Sequence, residues 1–304
     1  MSAIGIPTTG GPIFVLGMLQ RSGTNFLRDL LVAHPACQGS EVLAEDHLLH
    51  HAELLASYSN WVRGHWAHPL FPEETERLQG ELLRSIGQGV LEFVAGSVGG
   101  PRPVLKTPSV RNLHLFHRLF GNAVVLVLVR DGRAMVESGM RSFGWEFEEA
   151  TRLWAAAADR ITAFEASMRG RTDPSKVVRY EDLVTDLEAE LRTVFSVAGL
   201  DPEAYDFAAA RRTPVRGSST YQRDEGDVHW QPVERGADFQ PLQRWESWSR
   251  ARHERFNWLA GDQLRALGYE PRESTGAPAR WRAWNRLRDG RWLARRVRRR
   301  LLPS

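Results

Sequence analysis

The chain has 304 residues, 42% of them hydrophobic, which suits one large α/β domain with a packed core. Its single cysteine, Cys37, excludes an intrachain disulfide and a cysteine-based metal centre, and suits a reducing compartment. The net charge of +3 is unevenly spread: Arg280 to Ser304 holds ten arginines against one acid, a net +9 that leaves −6 on the rest, so the basic pI describes the tail and not the body. The opening MSAIGIPTTGG has neither the charged nor the apolar region of a secretory signal. Val124 to Val129, the longest aliphatic run, is too short to span a bilayer. The expectation is a cytoplasmic protein.

The first element is the apolar run Ile13-Phe14-Val15-Leu16, which predicts a buried strand. Gly17 to Gly23 then predict a turn. Phe26, Leu27, Leu30 and Leu31 recur at helical spacing until Pro35. Strand, tight loop and helix form a phosphate-binding arrangement, because the first helical turn has free N–H groups and a dipole that favours an anion. Gly23 permits close backbone approach, Thr24 and Asn25 add donors, and Arg21 adds a full charge. The kinase-type loop for a Mg-nucleotide is disfavoured. Set on Gly17, the pattern G-x-x-x-x-G-K-[ST] requires glycine at Ser22 and lysine at Gly23, and only Thr24 fits. A P-loop-type nucleotide kinase or phosphotransferase using Mg-ATP is kept as the alternative reading.

Glu41 to Trp61 is expected to be helical, with Glu41, Glu45 and Asp46 near its start. Trp61 to Phe71 is expected to be a loop over a pocket, and Glu73 to Val94 an amphipathic helix. The histidines at 47, 50, 51, 65 and 68 match no zinc-binding spacing. Pro103 to Pro108 predicts a short strand ending at Lys106. Open α/β sheets place their sites at such ends. Lys106 and Lys176 are the only lysines among 40 basic residues, which singles out Lys106, since lysine and arginine are not interchangeable at a tight site.

Asn122 to Asp131, NAVVLVLVRD, has the continuous valine-rich character of a central parallel strand. A helix carrying Ser138 follows. Asp131 at the strand end could serve as a magnesium ligand, but only with a kinase-type loop. Trp145 to Arg169 predicts a long helix. Lys176 to Arg179 predicts another strand, then a turn, Tyr180-Glu181-Asp182-Leu183, and a helix to about Val197. Thr213 to Pro241 is polar and punctuated by glycine and proline. Arg252 to Tyr269 predicts the last helix of the body, with Gly268 as its cap. Beyond Glu273 the Arg- and Trp-rich sequence predicts two short amphipathic helices broken at Asp289-Gly290. Such a segment can lie on an anionic membrane, in which case the protein is peripheral to the inner face; nucleic acid is the less favoured partner.

Four motifs occur in order: R-S-G-T-x-x-L from Arg21 with His-Pro behind it, K-T-P from Lys106, V-R-D-G-R-A from Val129 with Ser138 eight residues after Arg130, and Y-E-D-L from Tyr180. Together they resemble the sulfotransferases that use 3′-phosphoadenosine 5′-phosphosulfate (PAPS), in particular protein-tyrosine sulfotransferases and bacterial relatives, from about Ile13 to Tyr269. The resemblance implies an α/β fold with a P-loop-like parallel sheet of four to five strands flanked by helices. Residues 10–272 would form the sulfotransferase domain and 273–304 a basic tail. The implied reaction is in-line transfer of a sulfuryl group from PAPS to a hydroxyl or amine, with adenosine 3′,5′-bisphosphate as product and no metal. Arg21, Ser22, Gly23, Thr24 and Asn25 would hold the 5′-phosphosulfate. Arg130 and Ser138 would hold the 3′-phosphate, Tyr180 would lie near the nucleotide, and Lys106 and Arg21 would contact the transferring group. Arg216, Gly217 and Ser218 match in part a turn that closes on the 3′-phosphate, without its lysine. A glutamate shortly after His-Pro acts as base in the family. Glu41 is the nearest match, and Glu45 and His47 compete with it. The acceptor is left open among small molecules, carbohydrates, lipids and peptides.

Overall fold

The computed structural model describes residues 10–40, 43–66, 70–98, 100, 102–121, 123–216, 234, 241–272 and 278–301. Five parallel strands form one sheet: β1 (Ile13–Gly17), β2 (Gln38–Gly39), β3 (Pro103–Thr107), β4 (Val124–Val129) and β5 (Ser175–Arg179), in the order β2-β3-β1-β4-β5. The helices in chain order are α1 (Thr24–Val32), α2 (Glu53–Trp66), α3 (Pro72–Val98), α4 (Phe116–Phe120), α5 (Gly132–Phe143), α6 (Phe147–Met168), α7 (Tyr180–Thr185), α8 (Leu187–Ala198), α9 (Phe207–Ala210), α10 (Arg250–Ala266) and α11 (Pro278–Leu301).

Both sheet faces are covered, which is why the inner strands read as unbroken apolar runs. Phe14, Leu16, Leu105, Val125, Val127 and Val129 point into one core, where Phe14 stacks on Phe120 and meets Phe116 edge-on. Ile13, Val15, Val104, Leu126, Leu128 and Val178 point into the other, beneath α1 and α8. The chain leaves β1, builds β2 and β3 on one side, then crosses to β4 and β5 on the other. That reversal opens a crevice at the carboxyl ends of the strands, where α/β sheets bind ligands.

Four expectations for local structure need correction. Residues 43–52 are not helical, and α2 begins only at Glu53. The intervening stretch is pinned to the end of β3: the Asp46 N–H donates to the Lys106 carbonyl and the His47 N–H to the Thr107 hydroxyl. His47 takes a left-handed φ of 51°, which no helix admits. Trp61 lies within α2, which continues to Trp66, so the first part of the expected loop is helix. The turn expected at Tyr180 to Leu183 is helical, within α7, and the helix that follows is a separate one, α8, because the Asp186 carboxylate accepts from Ala189 N–H and caps it. The tail is one helix and does not break at Asp289-Gly290. Asp289 is held by Arg152, Arg255 and the Trp258 indole, contacts that outweigh the roughly 1 kcal/mol cost of the glycine beside it. No described helix is long and apolar enough to cross a membrane.

Candidate active site

The pocket at the strand ends is built from the residues that follow β1, β3, β4 and β5. After β1 the chain turns through Arg21, with φ 72°, and Gly23, with φ 98°. A Cβ on Gly23 would lie 2.5 Å from the Tyr180 ring, so glycine is required by both conformation and space. The Ser22 hydroxyl is spent on the loop itself: it accepts from the Leu19 N–H and donates to the Leu19 carbonyl. Ser22 thus shapes the loop, while Arg21, Gly23, Thr24 and Asn25 line the pocket. The first turn of α1 has no acidic residue and no side-chain cap, so its N-terminal dipole is left for an anion.

Three guanidinium groups meet here. Arg21 Nε donates to Ser138 Oγ at 3.1 Å, tying the loop to α5. Arg130, 5% exposed, donates to the carbonyls of Arg21 and Pro241 and lies over the Tyr180 ring, 4.6 Å from its centroid. Its Nε is buried without a hydrogen bond among the described residues. The third is Arg244, which enters from beyond Pro241. Burial first, then the charges of Arg130 and Arg244, push the Arg21 pKa down to about 10. Burial and Arg130 push Arg244 down to about 10 as well. Crowding buried cations is costly, and a polyanion is the group that relieves it. The enclosed space is about 100 Å³, room for an oxyanion group with the remainder of a larger ligand extending outward.

Lys106 closes the opposite wall. Only 8% exposed, it donates to Asn25 Oδ1 at 2.7 Å and to Glu45 Oε1 at 3.3 Å. Burial lowers its pKa, and Glu45 opposes that shift. The other Glu45 oxygen is 3.1 Å from His47 Nε2. Glu45 therefore touches both the lysine and a histidine, and it also lines a neighbouring cleft of about 460 Å³ walled by Leu19, His50, Trp145 and Leu153.

Asp131 does not face the pocket as a ligand. It caps α5, and both its oxygens are engaged by the Arg133 guanidinium. Arg216 lines the pocket and is paired with Asp29 at 3.1 Å. Glu41, Gly217 and Ser218 lie outside the described residues. The structure thus brings together Arg21, Gly23, Thr24, Asn25, Lys106, Arg130, Ser138, Tyr180 and Arg216. Sequence reasoning missed Arg244. It belongs to no motif, and only the return of the chain after a long polar stretch delivers it.

The sheet and its cationic strand-end pocket define an α/β protein of P-loop-like topology with an anion site. The sequence profile of the sulfotransferase family matches residues 12–204, more than half of the chain. The chain belongs to the sulfotransferase family. Protein-tyrosine sulfotransferase A of Caenorhabditis elegans is 29% identical over 198 residues, 60% of this chain and 48% of that protein. Human protein-tyrosine sulfotransferase 1 is 34% identical over 135 residues, 42% of this chain and 33% of that protein. The chain thus spans about half or less of the length of these relatives. In fold, it is similar to the sulfotransferase domain from the curacin biosynthetic pathway, with a TM-score of 0.50 and 17% identity over 86% of this chain and 99% of that domain.

Proposed function

We propose that the protein transfers a sulfuryl group from PAPS to a hydroxyl or amine acceptor. The observation that carries this reading is the meeting, in one pocket, of a bare helix N-terminus with Arg21, Arg130 and Arg244 on one side and the Lys106–Glu45 pair on the other. The donor set fits PAPS: a polyanion offsets the mutual repulsion of the arginines, and a phosphate oxygen could supply the partner that the buried Arg130 Nε lacks among the described residues. Arg130, Ser138 and Arg244 would hold the 3′-phosphate, and Gly23 to Asn25 the 5′-phosphosulfate. PAPS brings the activated sulfuryl group.

In the transfer, the acceptor oxygen or nitrogen forms a bond to sulfur while the bond from sulfur to the bridging oxygen breaks, releasing adenosine 3′,5′-bisphosphate. Lys106 steadies the negative charge that grows on the departing oxygen. Glu45 takes the acceptor proton, with the cleft beside it admitting the acceptor. Asn25 and Glu45 hold the lysine ammonium in place, and the backbone bonds of Asp46 and His47 to the end of β3 hold Glu45. Of the two candidate bases among the described residues, Glu45 and His47, Glu45 is the one that borders both pocket and cleft.

Isothermal calorimetry with adenosine 3′,5′-bisphosphate and with AMP tests the nucleotide assignment. The bisphosphate should bind at least about tenfold more tightly, since a charge-assisted hydrogen bond is worth about 1.5–3 kcal/mol. Arg130→Gln should erase most of that preference. Equal affinity for the two ligands would remove the 3′-phosphate site. Transfer of labelled sulfate from PAPS to a panel of acceptors tests the reaction itself.

A further inference from the structure

The tail helix α11 has two unlike faces. Its inward face carries Trp281, Trp284, Asn285, Asp289 and Trp292. Asn285 accepts from the buried Arg255, while Asp289 accepts from Arg152, Arg255 and Trp258. Arg152 lies over the Trp292 ring at 4.2 Å. The tryptophans, which on sequence alone read as anchors for an external surface, are turned toward the body.

The outward face carries an apolar stripe. Leu287, Gly290, Ala294 and Val297 follow one another at three- and four-residue steps, so they share one side of the helix. Leu287, Leu293 and Val297 are 56%, 55% and 54% exposed. At 3.6 residues per turn, Arg282 and Arg286 border this stripe on one side and Arg291 and Arg298 on the other, and all four are exposed. The one acid of the segment, Asp289, is used inward, so the outer face presents cations alone around its apolar stripe.

We propose that α11 docks the protein on an anionic lipid surface, with Leu287, Ala294 and Val297 entering the acyl boundary and the bordering arginines meeting headgroup phosphates. Charge complementarity and the apolar stripe select this occupant together. A nucleic acid backbone would use the arginines and leave the stripe in water. A second copy of the chain would bring two arginine-bordered faces together.

The test is co-sedimentation of the full chain, at moderate salt, with phosphatidylcholine vesicles with and without roughly one-third phosphatidylserine. The chain should sediment with the anionic vesicles and not with the neutral ones. Arg286→Ala with Arg298→Ala should lower partitioning about thirtyfold, about fivefold for each arginine. Leu287→Glu with Val297→Glu should abolish it while leaving the melting temperature and the affinity for adenosine 3′,5′-bisphosphate unchanged. If the glutamate pair lowers melting, Leu287→Ser with Val297→Ser carries the same comparison. The proposal is overturned if the full chain ignores anionic vesicles. It is equally overturned if the apolar variants sediment as well as the parent, the result expected for a nucleic acid or any other polyanion site. A parent that ignores vesicles and forms a dimer that the apolar variants dissociate assigns the face to a second copy.

Discussion

Replacing Lys106 by alanine removes a charge that touches Asn25 and Glu45. Turnover should fall about 10²–10³-fold with little change in the affinity for adenosine 3′,5′-bisphosphate. Glu45→Gln should cost about 10²–10⁴-fold in turnover, again with little effect on that affinity. A more acidic acceptor needs less help losing its proton, so it should partly rescue Glu45→Gln and leave Lys106→Ala slow. Steady-state kinetics with two phenols of different acidity separate the roles. Normal turnover in Glu45→Gln together with a dead Glu41→Gln or His47→Ala would move the base to that residue. Outside the pocket lining, His253 is packed against Trp245 and Trp248 with its Nδ1 buried and unpartnered among the described residues. Burial, then the charges of Arg272 and Arg133, push its pKa down from 6.5 to about 4. The unfolded chain therefore takes the proton first as pH falls. The contribution of His253 to stability is complete above pH 6.5 and declines as pH drops toward 4. Thermal melting of His253→Gln should depend less on pH across that window than the parent, and parallel curves would contradict the assignment.

At the scale of elements, the loop between β1 and α1 depends on one glycine. Gly23→Ala meets both the left-handed φ and the Tyr180 ring, so the loop must shift. Affinity for the bisphosphate should fall at least about tenfold, and destabilisation should exceed the roughly 1 kcal/mol of an ordinary glycine replacement. Calorimetry and a melting curve on the same sample measure both. The junction of α6, α10 and α11 rests on a buried ion pair. Arg255, 1% exposed, donates to both Glu148 oxygens, and Arg288 of α11 also reaches Glu148. Glu148→Ala leaves that guanidinium with Asn285 and Asp289 alone. Breaking a buried pair from one side costs about 3–5 kcal/mol, and the surviving partners place this case at the lower end, measurable by urea denaturation. A loss within 0.5 kcal/mol, as for an ordinary surface substitution, would mean that the pair is solvated.

For the whole molecule, these contacts make the tail part of the fold. Ending the chain before Pro278 strips Arg255 of Asn285 and Asp289 and uncovers the α6–α10 surface, so the melting temperature should drop by several degrees. An unchanged melting temperature would show the body to be independent of α11. Glu146, Glu149 and Leu153 of the α6 region line the cleft beside Glu45 and also the groove beneath Trp292 and Arg295. The cleft beside Glu45 and the groove against α11 therefore share one wall, the start of α6.

The sequence alone determined the parallel sheet, because a strand covered on both faces must be apolar at every position, as β1 and β4 are. It also placed Arg21, Lys106, Arg130 and Tyr180 together, since each stands in or beside a loop that leaves a strand end and parallel strands bring all such ends to one edge. Only the tertiary structure decided the rest. The segment before α2 carries helical spacing, yet its N–H groups pair with β3, a partner some sixty residues away that no local pattern encodes. That pairing, and not proximity to the phosphate loop, sets Glu45 against Lys106. Arg244 joins the pocket through the path of the chain, without a motif. In the tail, composition gave charge and tryptophan but not direction: the docking of Asn285 and Asp289 on Arg255 fixes the rotation of α11, turning the tryptophans inward and leaving leucine, valine and arginine outside. Local pattern reports which residues share a face, whereas the partner that covers that face is chosen by contacts distant in sequence.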